Sequence, residues 1–266
     1  MSQPKISIIT ICLNSEKFLE ETILSVLNQS YKNIEYIIID GGSTDGTLDI
    51  MKRYGDRIDY WVSEPDKGIS DAFNKGIKLA TGDIIAILNS DDYYAHSDVV
   101  QRIVDLFNER PDIFLLYGKV RFIEQKTGET LVIFGEPFSL NKMKKAIITP
   151  HPAIFARKQV YETVGLFSLR HKVAMDHEYF LKATTLFVPF FLDEIITVMR
   201  RGGMSTRNIY RAHREIYITQ RSYGVSRMRA LCMLIYGYTL TGLSLALQRI
   251  GLKWLVLLYR KWTKQL

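Results

Sequence analysis

Ile34-Glu35-Tyr36-Ile37-Ile38-Ile39-Asp40-Gly41-Gly42-Ser43-Thr44-Asp45-Gly46-Thr47 is a short apolar run that stops at a carboxylate and two glycines. The run is rich in β-branched residues and apolar at almost every position, which predicts a strand covered on both faces, as in a parallel sheet. The same pattern recurs around it. Ile6 to Ile11, Ile58 to Val62 and Asp83 to Leu88 also read as strands. Between them, Glu16 to Leu27 places Leu19, Ile23, Leu24 and Leu27 on one helical face, with Asn14 or Ser15 as N-cap, and Thr47 to Tyr54 and Ser70 to Ala80 are shorter helical stretches. Strands alternating with helices predict an α/β, Rossmann-like, mostly parallel central sheet with helices on both faces. In such a fold ligands bind at the carboxyl ends of the strands.

Beyond residue 114 the pattern is less regular. Leu115 to Phe122 and Thr130 to Phe134 form a hairpin pattern around Lys126-Thr127-Gly128, Asp176 to Leu186 reads as a helix, and Phe187 to Val198 is another apolar run. The 266 residues are 47% hydrophobic and 24% charged, which excludes a disordered chain and a collagen-like fibre. Cys12 and Cys232 lie far apart in apolar surroundings, so no cystine framework is expected and a reducing compartment fits. Met1-Ser2-Gln3-Pro4 runs directly into the first strand with no leader pattern.

The polar clusters fall where that fold places ligands. At the second strand end, Asp40, Gly41 and Ser43 offer a carboxylate for a nucleobase or ribose edge and glycines that permit close approach; a tight turn with a capping Ser or Asp accounts for them equally well. The spacing G-x-G-x-x-G is absent after the first strand, which disfavours a dinucleotide site. Asn89-Ser90-Asp91-Asp92 ends the fourth strand. Adjacent carboxylates after a buried strand call for a cation or hydrogen-bond donors, and Mn²⁺ or Mg²⁺ held with substrate phosphates satisfies that demand; an acidic N-cap pair for a helix beginning near Ser97 is the alternative. Between these clusters, Asp66, Lys67, Gly68, Asp71, Asn74 and Lys75 either hold a base and diphosphate or cap and solubilise a short helix.

Taken in order, Ile6-Ser7-Ile8-Ile9-Thr10 with Asn14, the Asp40–Thr47 run, Asp66-x-Gly68 with Asn74-x-Gly76, and Thr81-Gly82-Asp83 leading to Asn89-Ser90-Asp91-Asp92 resemble a family-2 glycosyltransferase of the GT-A fold, of the small bacterial surface-polysaccharide type. The resemblance covers roughly residues 5–205. It implies an inverting, metal-dependent transfer from a nucleoside diphosphate sugar to a saccharide hydroxyl. By that likeness Thr10, Asn14, Asp40, Gly41, Ser43, Asp66, Gly68, Asn74, Asn89 and Ser90 surround the donor, with Asp40 on the nucleobase and Asp66 on the base or ribose. Asp91 binds the metal, although Asn89 stands where the family's D-x-D motif has its first Asp. Ala174-Met175-Asp176-His177-Glu178 resembles the acidic catalytic segment, with Asp176 as general base, Met175 in place of the usual Glu, Glu178 as local competitor and His177 as a solvent-facing helix residue. Asp92 and His151 fall on the acceptor or metal side, or His151 is a loop histidine bonded to backbone. Arg201, in Arg200-Arg201-Gly202-Gly203-Met204-Ser205, either closes over the diphosphate or belongs to a basic turn.

The net charge of +7 is unevenly spread. Residues 200–266 carry 13 Lys and Arg against Glu215 alone, leaving 22 basic and 27 acidic residues before them. Ala230 to Leu247 contains no charge, and Gly237, Thr241, Ser244 and Gln248 mark a weakly polar stripe along it. Trp254, Tyr259 and Trp262 then alternate with Lys253, Arg260, Lys261 and Lys264. This pattern suits a helix lying in an anionic membrane surface, with a spanning helix and a subunit contact as alternatives. The expected organisation is a catalytic domain over 1–205, with a donor half to about 110 and an acceptor half beyond it, and a basic apolar tail over 206–266. The expected location is the cytoplasmic face of a bacterial plasma membrane, near a polyprenyl-linked acceptor. A nucleotidyltransferase would carry a Gly-rich basic loop where Cys12-Leu13-Asn14-Ser15-Glu16-Lys17 stands, and the tail lacks a nucleic-acid motif. A catalytically silent nucleotide-sugar binder is the remaining alternative.

Overall fold

Every residue of β1 (Ile6–Cys12) is buried, and so are all but the first of β2 (Ile34–Asp40). Strands of this kind need cover on both faces, and the alternation of their side chains divides it. Ile6, Ile8, Cys12, Tyr36 and Ile38 join one core with α1 (Leu19–Leu27), α2 (Thr47–Arg53) and α4 (Val99–Glu109), through Leu19, Ile23, Met51, Ile103 and Phe107. On the other face Ile9 meets α3 (Ile69–Leu79) at Gly76, where a Cβ would lie 2.3 Å from Ile9 Cγ2. The computed structural model describes residues 3–146, 150–202 and 208–252.

The described strands continue with β3 (Tyr60–Ser63), β4 (Ile84–Asn89), β5 (Tyr93–Tyr94), β6 (Leu115–Ile123), β7 (Thr130–Phe134), β8 (Ile154–Arg157) and β9 (Phe190–Arg200). They form one sheet in the order β3-β2-β1-β4-β8-β6-β9-β5, with β7 paired to β6. The first four are mutually parallel, β8 runs against both its neighbours, and β9 returns parallel to β6. The expected α/β architecture is therefore present; besides β7 of the hairpin, β8 and the two-residue β5 are reversed, which the sequence pattern did not disclose. The short helices α5 (Leu140–Met143) and α6 (Lys158–Val164) flank β8, and α7 (Met175–Leu186) precedes β9.

Two local expectations are corrected. Neither Asn14 nor Ser15 caps α1 with its side chain: Phe18 and Leu19 donate to the Ser15 carbonyl, while Asn14 Oδ1 accepts from Thr44 N at 2.9 Å and Ser15 Oγ lies 2.8 Å from Ser90 Oγ. These side chains join loops instead. Asp91 and Asp92 do not cap α4 either, since Asp98 occupies that position.

At the amino edge of the sheet Glu35 gathers Ser7 Oγ, Lys5 Nζ (3.0 Å), Thr81 N (2.8 Å) and Thr81 Oγ1 (2.5 Å). Burial opposes its charge, but these bonds prevail and hold the carboxyl down at about 2. Gly82 passes so close to β1 that a Cβ would sit 2.8 Å from Lys5 O. Thr81-Gly82 thus serves packing, at the end of the strands remote from Asp40 and Asn89.

The chain separates into two compact units, residues 1–203 and 204–266. The second holds α8 (Ile209–Ser222) and α9 (Arg227–Arg249), joined through Gly224 at φ 82°. They form a helical hairpin: His213 Nε2 lies 3.2 Å from Thr241 Oγ1, and Tyr210 stacks edge-on against Tyr238. Gly237 admits His213, since a Cβ there would lie 2.8 Å from its ring. The expected polar stripe is therefore, at Gly237 and Thr241, the seam against α8. The opposite face exposes Met228, Leu231, Ile235 and Leu243. Within Arg227–Leu247 an 18-residue stretch has mean hydropathy 1.6, and the span is long and apolar enough, by length and composition, to cross a membrane. Lys253, Trp254, Tyr259, Arg260, Lys261, Trp262 and Lys264 lie outside the described residues.

Candidate active site

Strand register assembles one edge. Asp40 lies opposite Cys12 of β1 and Ser63 of β3, and Asn89 of β4 lies opposite Ile11. Asp40 is fully buried, and its carboxylate accepts from Gly42 N (3.1 Å), Ser43 N (2.9 Å), Ser43 Oγ (2.5 Å) and Ser63 Oγ (2.6 Å), with Cys12 Sγ at 3.5 Å. Burial raises its pKa, but the bonds from Ser43 and Ser63 outweigh this and keep it below the usual range. Asp40 therefore folds the loop around itself. Beside it, Asp66 Oδ2 would lie 2.5 Å from a Cβ at Gly41, and Asp66 Oδ1 accepts from Gly68 N at 2.7 Å. Gly41 is needed for this approach, and Gly68, at φ 109°, for the turn. Lys172 Nζ reaches across to Lys67 O at 2.7 Å.

Asn89 to Asp92 make a tight turn, with Asp92 N donating to Asn89 O at 3.1 Å. Asp92 is buried. Removal from water pushes its carboxyl well above the ordinary range, and the neighbouring Asp91 charge adds to that. Burial also raises half-buried Asp91, opposed by Arg200 and His151. Arg200 was missed in the sequence reading. Its guanidinium donates to Asp91 O at 2.7 Å, pairs with Glu21, and lies over Phe18 and Tyr93 at 4.4 and 4.9 Å from their centroids. Strand periodicity could have found it, since Arg200 shares the inward face of Ile196 and Val198, both buried. Arg201 faces solvent and donates its N–H to Ile123 O at 3.1 Å; Gly203, Met204 and Ser205 of its loop lie outside the described residues.

No three His, Cys, Asp or Glu side chains are grouped as a metal cage among the described residues. The donor set nevertheless fits a hard divalent ion, because Mg²⁺ and Mn²⁺ sites of this kind use one or two carboxylates and complete their shell with substrate phosphates and water. Asp91 is the half-buried carboxylate available, and burial, which raises its pKa, opposes its charge.

Asp176 sits in the first turn of α7, where the helix dipole favours a negative charge. Its Oδ2 lies 3.1 Å from His151 Nδ1 and its Oδ1 accepts from His177 N at 2.8 Å. Burial raises its pKa, but the His151 contact and the His177 N–H lower it further, so it is held as a carboxylate. His177 is buried rather than solvent-facing, with Nε2 2.8 Å from Met143 O; α7 packs on both sides here, which its sequence periodicity did not reveal. Glu178 turns to buried His171, 3.4 Å away, rather than to His151.

The carboxylates are joined by hydrogen bonds relayed through two stretches of backbone, at Asn14–Ser15 and at Asn89–Asp92. Asp40 binds Ser43, Ser43 Oγ accepts from Asn14 N at 2.7 Å, and the next residue, Ser15, meets Ser90. Past Asp91 and Asp92, Asn89 Nδ2 donates to Asp92 Oδ2 at 2.9 Å and approaches His151 Nε2 at 3.1 Å, and His151 reaches Asp176. Two expected donor residues lie off this edge. Thr10 is buried within β1, its hydroxyl 3.1 Å from Tyr36 Oη. Asn74 is buried against Phe167, donating to its carbonyl (2.9 Å) and accepting from its N–H (2.8 Å), so it ties α3 to the segment before α7. In both cases side-chain polarity is consumed internally. Asn14, Ser43 and Ser90 brace the site's loops through the bonds given above.

Residues 7–165 match the family model described as Glycosyl transferase family 2. An uncharacterized glycosyltransferase of Mycobacterium tuberculosis is 34% identical over 216 residues, 80% of this chain and 79% of the relative. A PGL/p-HBAD biosynthesis glycosyltransferase of Mycobacterium bovis BCG is 32% identical over 182 residues, 67% of this chain and 69% of the relative. Among solved structures, S. aureus TarS matches 86% of this chain and 42% of its own length with TM-score 0.65 and 21% identity. A mannosyltransferase from Pyrobaculum calidifontis, solved with GDP-Man and Mn²⁺, matches 99% of this chain and 84% of its own with TM-score 0.64 and 17% identity. The sheet, the carboxylate edge at its strand ends and these similarities converge, and the chain belongs to glycosyl transferase family 2, with the GT-A fold.

Proposed function

We propose that this glycosyltransferase moves a sugar from a nucleoside diphosphate sugar to a hydroxyl of a lipid-linked saccharide, with inversion, in cell-surface polysaccharide synthesis. The observation that carries the reading is the path from Asp40 to Asp176, which sets a nucleotide-side carboxylate loop and a second carboxylate helix on one rim. Residues to about 110 hold the donor. Asp66 meets the base or ribose, and Asp40 acts on the nucleobase by holding the Gly41–Ser43 loop around itself. A TarS structure in complex with UDP-GlcNAc and the mannosyltransferase with GDP-Man and Mn²⁺ support such a donor and a divalent ion. Asp91 would hold Mn²⁺ or Mg²⁺, whose charge would stabilise the leaving diphosphate. Arg200 fixes the Asp91 backbone, and Arg201 lies at the loop that meets the diphosphate. Asp176 takes the acceptor hydroxyl's proton while that oxygen bonds to the anomeric carbon. The bond from that carbon to the diphosphate breaks on the opposite side, and its electron pair leaves with the nucleotide. Glu178, held by His171, is not the base in this reading, and Asp92 stays buried beneath Asp91.

The exposed apolar face of α9 and the basic tail support attachment to an anionic, cytoplasmic membrane leaflet, where a polyprenyl-linked acceptor resides. The test of transfer is nucleotide release from a panel of nucleotide sugars with Mn²⁺. Asp176→Asn is expected to keep donor binding and lose about 100- to 10,000-fold in turnover. Asp91→Ala is expected to abolish transfer and weaken nucleotide binding. Near-normal turnover in Asp176→Asn overturns the base assignment, and a panel without any release favours a silent nucleotide-sugar binder.

A further inference from the structure

The Asn89 amide faces two partners. Nδ2 lies 2.9 Å from Asp92 Oδ2 and 3.1 Å from His151 Nε2, while Oδ1 is farther from the same ring nitrogen, at 3.4 Å. An NH₂ group has a hydrogen for each. Once it donates to Nε2, the neutral imidazole must carry its own hydrogen on Nδ1, which is 3.1 Å from Asp176 Oδ2. The ring has little freedom to turn. It packs against Phe73 with centroids 5.9 Å apart, and Thr197 Oγ1 holds the next residue's carbonyl, Pro152 O, at 2.8 Å.

We propose that Asn89 and His151 are positioning residues for Asp176: the Asn89 amide fixes His151 as the Nδ1–H tautomer, and that hydrogen aims the Asp176 carboxylate at the acceptor. The inference rests on the reading of Asp176 as the base. It gives the departure from the family's D-x-D pattern a task. An Asp at position 89 has no hydrogen to offer Nε2 and would instead draw one from the ring, so the amide's hold on the tautomer would be lost. Asn89 thereby links the nucleotide-side turn to the acceptor-side helix through a single ring.

The full chain, labelled with ¹⁵N in its histidine side chains, is examined by NMR at about pH 8, where an ordinary imidazole is neutral. His151 is assigned by the signals that vanish in His151→Gln. The wild type is expected to show hydrogen on Nδ1 and a bare Nε2, and Asn89→Asp to show hydrogen on Nε2. Asn89→Leu, which removes the donor without adding charge, is expected to lose the fixed preference, and guards against misfolding of the first variant. In nucleotide-release kinetics with UDP-GlcNAc and GDP-mannose, Asn89→Asp and His151→Gln are each expected to lower kcat roughly 10- to 100-fold, with donor KM little changed in His151→Gln. Added to Asp176→Asn, neither should lower the residual rate further, because their effect passes through that carboxylate. Hydrogen on Nε2 in the wild type, an unchanged ring pattern in both Asn89 variants, or a full additional loss on Asp176→Asn overturns the proposal. If neither donor is turned over while the tautomer behaves as stated, it is the transfer reading that fails.

Discussion

Asp40 shows how far a side chain's partners can lie beyond what its place in the sequence discloses. Its position at the end of an apolar run is plain in the sequence, but its lone pairs go to Ser43 and Ser63, and Ser63 lies on another strand. Asp40→Asn would set an NH₂ among N–H and O–H donors. It is expected to destabilise the protein by about 2 kcal/mol in urea unfolding and to weaken nucleotide binding tenfold or more, through the loop rather than through a lost ligand contact. Thr10 and Asn74 follow the same logic: short polar side chains in a motif are equally apt for bracing, and their partners Tyr36 and Phe167 are not neighbours in sequence. Arg200 was hidden because two adjacent arginines look alike until β9 is seen to end at Arg200 and to leave Arg201 in the turn beyond it.

At the level of elements, β1 to β4, α3 and the β6–β7 hairpin were legible because their periodicity is sustained over whole segments. β5 and β8 have two and four residues and exist through their partners, β9 for one and β4 and β6 for the other. No local pattern can announce so short a strand. The Glu35 junction makes a prediction about the amino edge. A carboxyl held at about 2 when folded and near 4.5 when free adds stability that is fully present above the unfolded value and is lost as pH falls from about 4.5 to about 2. Allowing for solvent screening beside half-exposed Lys5, the contribution is on the order of 2 kcal/mol. Glu35→Gln is expected to lower stability at pH 7 by about that amount and to flatten the acid limb of a stability–pH curve; an unchanged limb would locate acid sensitivity elsewhere.

Across the whole molecule the charge division is the clearest feature of the sequence, and the helical hairpin gives it a shape. Sequence pattern suggested the apolar helix, but the stripe of small residues along it became intelligible through His213 and Tyr210. Removing residues 228–266 is expected to abolish co-sedimentation with anionic phospholipid vesicles while leaving nucleotide-sugar binding within about threefold; continued sedimentation would move the lipid contact to residues 1–227. The reversed direction of β8 has a separate outcome. Since the chain enters that strand at the rim where β1, β2 and β4 exit, His151 reaches the rim from upstream of a strand, whereas Asp40 and Asn89 reach it from downstream. The segment leading into β8 can be exchanged without touching the ladder that positions the nucleotide-side loops. Grafting residues 136–150 from a relative is therefore expected to alter which saccharide is extended while the released nucleotide stays the same, as product mass analysis would register. On the proposed reading, the backward course of β8 would make the recipient and the donor separately adjustable.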